Sequence, residues 1–98
     1  MILFATVLVM SMPGPAEASA ARDAWTSCLM DFAQSESAGT KTAVTITIQA
    51  LASCQVERSR YVAQLARTDV DTKTLNDQIA ADDLDVARRL IAFINRSR

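Results

Sequence analysis

The cysteine pair Cys28 and Cys54 limits the fold of this chain more than any other feature of its sequence. The spacing is too wide for a Cys-x-x-Cys redox motif, and two thiolates in a chain without histidine do not complete a closed zinc site. A helix over about residues 23–38 would place Cys28 roughly 15 Å before its end, and a helix starting after Thr40 would place Cys54 roughly 20 Å from its own start. The two thiols would then lie at nearly the same height in an antiparallel hairpin. This predicts a Cys28–Cys54 disulfide; two unrelated buried cysteines are the alternative.

Gly39 and Thr40 predict the turn of this hairpin. A glycine after the last helical residue commonly takes the left-handed conformation that ends a helix, and a threonine can cap the next helix. Gly39 is also the last glycine or proline of the sequence, so residues 40–98 contain no strong helix breaker. The chain has 98 residues, of which 50% are hydrophobic, and we predict a single all-α domain. Its formal net charge of −1 gives no case for nucleic acid.

Residues 1–20 have the layout of a secretory signal peptide. Residues 2–12 form an apolar run, a segment of proline and glycine breaks it, and Ala18 and Ala20 fit a cleavage site after Ala20. Cleavage after Ala18 is one alternative; a membrane anchor is another, but it needs about 20 apolar residues. The sequence therefore predicts a cleaved leader over residues 1–20 and a single small helical domain over residues 21–98. We expect a periplasmic or secreted protein, in which paired cysteines are normally oxidised.

Apolar residues at helical spacing mark the predicted core face of the hairpin. On the first helix this face carries Trp25, Cys28, Leu29 and Phe32. On the second helix, predicted over residues 41–67, it carries Val44, Ile48 and Leu51, with Ala43, Ala50 and Cys54 close by. Residues 44–48 also alternate with a period of two and are β-branched, which is typical of a strand. A strand needs a partner strand, and no other segment after residue 20 offers one, so we expect a helix.

A third, amphipathic helix is predicted over residues 75–98, after a linker at residues 69–74. Thr74 and Asp77 loosely match a capping box at its start. Its apolar arc covers about half of the circumference, and Asp83 falls inside this arc whereas Asp82 falls on the polar side. A continuous helix would have to bury the Asp83 carboxylate, which is costly without a partner. We therefore expect a kink or break near Asp82 and Asp83, with a fresh helix from Leu84.

The broad apolar arc of the third helix has two interpretations. The helix could pack into the groove between the first two helices and complete a three-helix bundle. It could also leave part of the arc free as a surface for another protein. The residues of that candidate partner surface are Leu84, Leu90, Phe93 and Ile94.

The residue types that most catalytic sites need are missing. The chain has no histidine, which excludes a Ser-His-Asp triad and histidine metal ligands. It has no glycine-rich phosphate loop, and a cysteine nucleophile would lack its usual base. The acidic run of Asp82, Asp83 and Asp85 lacks the glycine turn and terminal glutamate of an EF-hand. The sequence predicts no cofactor, no metal ion and no enzyme, and catalysis by these carboxylates is the alternative.

The remaining function classes are binding functions. The layout of leader, tryptophan, two cysteines and tyrosine resembles that of small exported two-cysteine helical proteins of bacteria. We expect a protein that acts by protein-protein contact in the bacterial cell envelope, with another envelope protein or with itself. The alternative is a binder of a small apolar ligand or lipid, with a periplasmic chaperone-like role. Neither hypothesis requires nucleic acid or a stable membrane span after leader cleavage.

Overall fold

The computed structural model describes residues 15–98. Within them the chain forms four helices and no strand: α1 (Pro15–Glu36), α2 (Ala43–Ser53), α3 (Gln55–Ala66) and α4 (Thr72–Ser97). The all-α prediction is confirmed, and the strand alternative for residues 44–48 is wrong because these residues lie within α2. Helix α1 contacts each of the other three helices, and its contact with α3 is the most extensive. The described residues therefore form a helical bundle around α1.

Helix α1 starts earlier than the sequence analysis predicts. Its first residue is Pro15, a position that proline tolerates because the first N–H groups of a helix have no partner within it. The predicted cleavage point after Ala20 falls inside this helix, and Ala18 is buried. The apolar run at residues 2–12 lies outside the described residues. The predicted leader remains a prediction.

The predicted core face of α1 is confirmed in part. Trp25 and Leu29 are each 1% exposed and belong to the central cluster of buried side chains. Cys28 and Phe32 are half-buried and pack against that cluster. The buried side chains of the cluster come from all four helices: Trp25, Leu29, Ala33, Ile46, Ala50, Cys54, Tyr61, Val86, Leu90 and Ile94.

The turn between α1 and α2 differs from the predicted one. Helix α1 ends at Glu36, and the Gly39 N–H donates to the Glu36 carbonyl at 3.1 Å. The φ angle of Gly39 lies outside the left-handed range, so the predicted left-handed cap is wrong. This i to i−3 bond closes the end of the helix by a tighter turn that needs no positive φ. The next helix is capped by Thr42 rather than Thr40, since the Thr42 side chain accepts a hydrogen bond from the Thr45 N–H at 3.1 Å.

The second helix of the predicted hairpin is two helices that meet at Cys54. This residue has φ −103° and ψ 26° and belongs to neither α2 nor α3. Its own N–H donates to the Ala50 carbonyl at 3.0 Å, and its carbonyl accepts from the Arg58 N–H at 3.1 Å. The chain therefore changes direction at Cys54 while both groups of that residue keep a backbone partner.

The predicted core face of the second helix is correct for Ala50 and Cys54 and wrong for Val44 and Ile48. Ile46, Thr47 and Ala50 are buried, whereas Val44 is 56% and Ile48 is 62% exposed. The period of two in the sequence explains the error. Residues two apart on a helix lie roughly 200° apart, so Ile46 cannot share a face with Val44 and Ile48. Contact of α2 with both α1 and α4 selects the Ile46 side.

Helix α4 is continuous from Thr72 to Ser97, and the predicted break at Asp82 and Asp83 is wrong. Its cap is Asp71, whose carboxylate accepts a hydrogen bond from the Thr74 N–H at 2.7 Å, in place of the predicted Thr74–Asp77 box. The sequence predicts a break because a continuous helix would bury a carboxylate without a partner. The structure buries Asp82 instead of Asp83 and provides that partner.

The predicted pairing of Cys28 with Cys54 agrees with the structure. Their sulfur atoms lie 2.06 Å apart, which is the distance of a disulfide bond, and their Cα atoms lie 6.0 Å apart. This pair connects α1 directly to the junction of α2 and α3. It fixes the position of that junction on α1, next to the extensive contact between α1 and α3.

Candidate functional site

The predicted partner surface on α4 does not form one exposed face. Leu90 is 1% exposed and Ile94 is 0% exposed, and Phe93 is half-buried against the core. Leu84 is 52% exposed, so its side chain faces solvent whereas those of the other three residues pack in or against the core. The apolar arc is broad because α4 packs against α1, α2 and α3 at once. The bundle interpretation of the arc is the correct one.

Three of the five large apolar side chains that are exposed in the described residues lie along α2 and the first turn of α3; the other two are Val70 and Leu84. We call the stripe formed by Val44, Ile48, Ala52 and Val56 the outer face. Its three large side chains, Val44, Ile48 and Val56, are 56%, 62% and 59% exposed. Val44, Ile48 and Ala52 follow one another at a spacing of four residues within α2, which places them on the same side of that helix, and Val56 lies beyond the junction at Cys54. Val44 and Ile48 are the two members of the outer face that the sequence analysis assigned to the core.

The part of the outer face on α2 lies in an uncharged stretch of the sequence. Residues 42–56 contain no lysine, arginine, aspartate or glutamate, although 21% of the whole chain is charged. Beyond Val56 the outer face continues into a shallow groove on α3, with a volume of about 380 Å³. The groove is lined by Gln55, Val56, Ser59, Arg60 and Ala63.

A second candidate site is a buried polar cluster around Asp82. This residue is 6% exposed, and its carboxylate accepts a hydrogen bond from the Tyr61 hydroxyl. The Gln78 side-chain amide donates to both carboxylate oxygens at 3.1 and 3.2 Å, and a guanidinium nitrogen of Arg22 lies 3.7 Å from one of them. The ring of Trp25 stacks on that of Tyr61 at 5.8 Å between centroids. The cluster links α1, α3 and α4.

The electrostatics of this cluster favour a structural role. Burial raises the pKa of Tyr61 to about 12, and the hydrogen bond to Asp82 adds to the effect. A phenol with such a pKa stays protonated at neutral pH and donates to the carboxylate. It therefore does not act as a base or a nucleophile under those conditions. Sequence analysis missed the cluster; the i, i+4 spacing of Gln78 and Asp82 is its one local signal.

The remaining acidic residues of the predicted carboxylate group are paired at the surface. Asp83 accepts two hydrogen bonds from Arg58 at 2.9 and 2.7 Å, and its side chain is 40% exposed. Asp85 lies 3.3 Å from Arg22 and 3.1 Å from Arg89. Asp82 and Asp85 thus share Arg22 as a partner, whereas Asp83 pairs with Arg58. The three aspartates do not form the arrangement of paired carboxylates that general acid–base catalysis uses.

A cleft of about 340 Å³ lies between α1 and α4, beside the buried cluster. Its charged and hydroxyl-bearing lining consists of Arg22, Asp23, Thr26, Ser27, Asp85 and Arg89. Its apolar lining consists of Leu29, Met30, Val86 and Leu90. The volume is at the lower end of the range of small-molecule sites. The cleft combines an apolar floor with a rim of both charge signs.

Comparisons of the chain with protein-family models, with curated proteins and with solved structures give no match. The geometry of the described residues is therefore the basis for a functional assignment. Of the helices in residues 15–98, none combines the length and the hydropathy needed to cross a bilayer.

Proposed function

We propose that this protein is a non-enzymatic helical scaffold of the bacterial cell envelope that binds another protein through the outer face. The observation that carries the proposal is the exposure of Ile48 on α2, 62% for a large apolar side chain in an uncharged stretch. Val44, Ile48 and Ala52 of the outer face lie on one side of α2 at i, i+4 spacing. Such a stripe binds an apolar helix in the manner of helix-in-groove recognition.

The partner that fits the outer face is an uncharged amphipathic helix of another exported protein. A charged side chain brought against Val44 and Ile48 would lose its hydration, and residues 42–56 offer no opposite charge in return. An apolar side chain pays no such penalty and gains from burial. The leader-like sequence at residues 1–20 and the disulfide distance between Cys28 and Cys54 support export.

The test uses two matched charge variants, Ile48→Glu on the outer face and Leu84→Glu on α4. Both positions are more than half exposed, so both variants should keep the wild-type circular dichroism spectrum and unfolding midpoint. A photo-crosslinking amino acid at position 48, introduced in the native host, should capture one exported protein through an uncharged helix. Ile48→Glu should lose that partner in co-purification, and Leu84→Glu should keep it. Equal retention by both variants would contradict the proposal, as would crosslinking to a second copy alone.

The cleft between α1 and α4 supports a second candidate function, the binding of a small apolar or amphipathic molecule. Its apolar lining includes Met30, a flexible side chain that adapts to irregular ligands. Native mass spectrometry of the protein from its host should then show a bound small molecule. Adding it back should raise the unfolding midpoint in a saturable manner. The variant Thr26→Trp, which fills the cleft from a half-exposed position of α1, should abolish that shift.

A further inference from the structure

Glu57 lies beside the cysteine pair. The sulfur atoms of Cys28 and Cys54 and a carboxylate oxygen of Glu57 all lie within 4.8 Å of one another. Cys54 is fully buried, whereas Cys28 and Glu57 are half-buried, so the cluster sits where the core meets the solvent. Cys28 lies on α1, Cys54 lies at the junction of α2 and α3, and Glu57 lies in the first turn of α3.

The carboxylate of Glu57 is available to a ligand. Within residues 15–98, no salt bridge or side-chain hydrogen bond holds it, in contrast to the half-buried acids Glu36, Asp83 and Asp85, each of which has a basic partner. Cys54 and Glu57 are three residues apart, a spacing that places two side chains on the same side of a helix. The Cα atoms of Cys28 and Cys54 lie 6.0 Å apart, so both cysteines can reach a common point between them.

We propose that Cys28, Cys54 and Glu57 bind one thiophilic divalent cation of the zinc class when the disulfide is reduced. Zinc takes two thiolates and one carboxylate oxygen at about 2.3 and 2.0–2.2 Å. Ligand atoms around one tetrahedral ion lie roughly 3.5–3.8 Å apart, so the two sulfur atoms must move apart once the S–S bond is broken, whereas the Glu57 oxygen already lies within 4.8 Å of both. The fourth coordination position stays open to water on the solvent side of Cys28 and Glu57.

Reduction and metal binding follow one another in a balanced sequence. A dithiol reductant supplies two electrons and two protons, the S–S bond breaks, and the reductant becomes a disulfide. The cation then displaces the two thiol protons and forms two metal–thiolate bonds. Reoxidation reverses the sequence and releases the ion, because the same sulfur atoms cannot be both disulfide and ligand. The site is therefore a metal site whose occupancy depends on the redox state, and it does not depend on the proposed function.

The experiment uses the full chain, reduced with a water-soluble phosphine that is converted to its oxide. Co²⁺ is titrated as the spectroscopic probe, and Zn²⁺ is then added in competition. The reduced wild type should bind one Co²⁺ with thiolate charge-transfer bands in the near ultraviolet, and the oxidised protein should show none. Glu57→Gln should weaken binding by at least about tenfold, since loss of a ligand costs no less than loss of an outer-shell partner. Glu36→Gln, a carboxylate outside the cluster, should bind like the wild type.

Several outcomes would overturn the proposal. One is a reduced wild type that binds Co²⁺ no more tightly than a Cys28→Ser/Cys54→Ser variant. Another is an unchanged affinity in Glu57→Gln, which would remove the carboxylate from the site. Circular dichroism during the titration covers the case in which reduction loosens the fold. Zn²⁺ that restores the helical signal of the reduced wild type supports the site, and Zn²⁺ that leaves the signal unchanged without binding argues against it.

Discussion

The Tyr61 hydroxyl donates a hydrogen bond to the carboxylate of Asp82, 21 residues further along the chain, and both side chains are buried. This bond joins α3 to α4. It explains how an uninterrupted helix α4 tolerates a carboxylate on its buried side, because the charge-assisted hydrogen bond offsets part of the lost hydration. Because of this bond, the free energy of unfolding should depend on pH and should change when either side chain is substituted.

Removing the hydroxyl should destabilise the protein measurably. Tyr61→Phe leaves the buried Asp82 carboxylate with Gln78 and Arg22 only, and the loss of a hydrogen bond to a charged group costs about 1.5–3 kcal/mol. Urea unfolding at pH 7 measures the change in the free energy of unfolding. The double variant Tyr61→Phe/Asp82→Leu removes both polar groups and should recover part of the loss. A double variant less stable than either single variant would contradict this account.

The stability of the wild type should fall in strong base. The folded-state pKa of Tyr61, about 12, lies above the ordinary value of 10.0. The stabilisation by the protonated phenol is therefore complete below about pH 10 and is lost as the pH rises through about 12. Urea unfolding at pH 8 and at pH 11 should show a larger drop for the wild type than for Tyr61→Phe. Equal drops in the two proteins would show that other groups cause the base sensitivity.

Loss of the disulfide should cost more than any single surface contact. The Cys28–Cys54 pair closes a segment with a sequence separation of 26 residues, and a loop of this length stabilises by roughly 3–4 kcal/mol in the chain-entropy model. Cys28→Ser/Cys54→Ser should lower the free energy of unfolding by about that amount. Wild type reduced and alkylated at both cysteines provides an independent comparison. A loss below about 1 kcal/mol would mean that the unfolded chain gains little freedom when the bond is removed.

Two leucines on α4 should respond very differently to truncation. Leu90 is 1% exposed and Leu84 is 52% exposed, although the sequence pattern groups them together. Leu90→Ala should cost about 2–5 kcal/mol because it leaves a cavity among packed side chains. Leu84→Ala should stay within about 0.5 kcal/mol of the wild type. Thermal unfolding followed by circular dichroism distinguishes the two variants. Similar unfolding midpoints for Leu90→Ala and Leu84→Ala would show that α4 does not pack its Leu90 side against the core.

The helical class and the pairing of the cysteines could be predicted from the sequence because both depend on local rules. The absence of glycine and proline after Gly39 and the helical spacing around Trp25 need no knowledge of distant residues. The height of Cys28 and Cys54 in a hairpin follows from the helical rise alone. These features hold even though the helix boundaries, the cap at Gly39 and the bend at Cys54 differ from those predicted.

The burial of Ile46 rather than Ile48 on α2, and of Asp82 rather than Asp83 on α4, could not be predicted because distant residues decide it. Asp82 and Asp83 are neighbours about 100° apart on the helix, and each is a poor choice for burial by itself. The Tyr61 hydroxyl selects Asp82, and Arg58 on the same helix pairs with Asp83. For α2, Ile46 and Ile48 are equally apolar, and contact with α1 and α4 selects Ile46. A pattern on one helix carries no information about such partners.

The covalent crosslink lies entirely in the part of the chain before α4, and residues 67–71 alone connect that part to α4. Helices α1–α3 thus form a crosslinked unit. Helix α4 is held against this unit by the packing of Leu90 and Ile94 and by the Tyr61–Asp82 hydrogen bond. Opening the peptide bond after Val70 would leave a two-piece protein whose halves retain every one of these contacts. An exchange of α4 between two copies would require a rearrangement of residues 67–71 alone and would leave the Cys28–Cys54 pair unchanged.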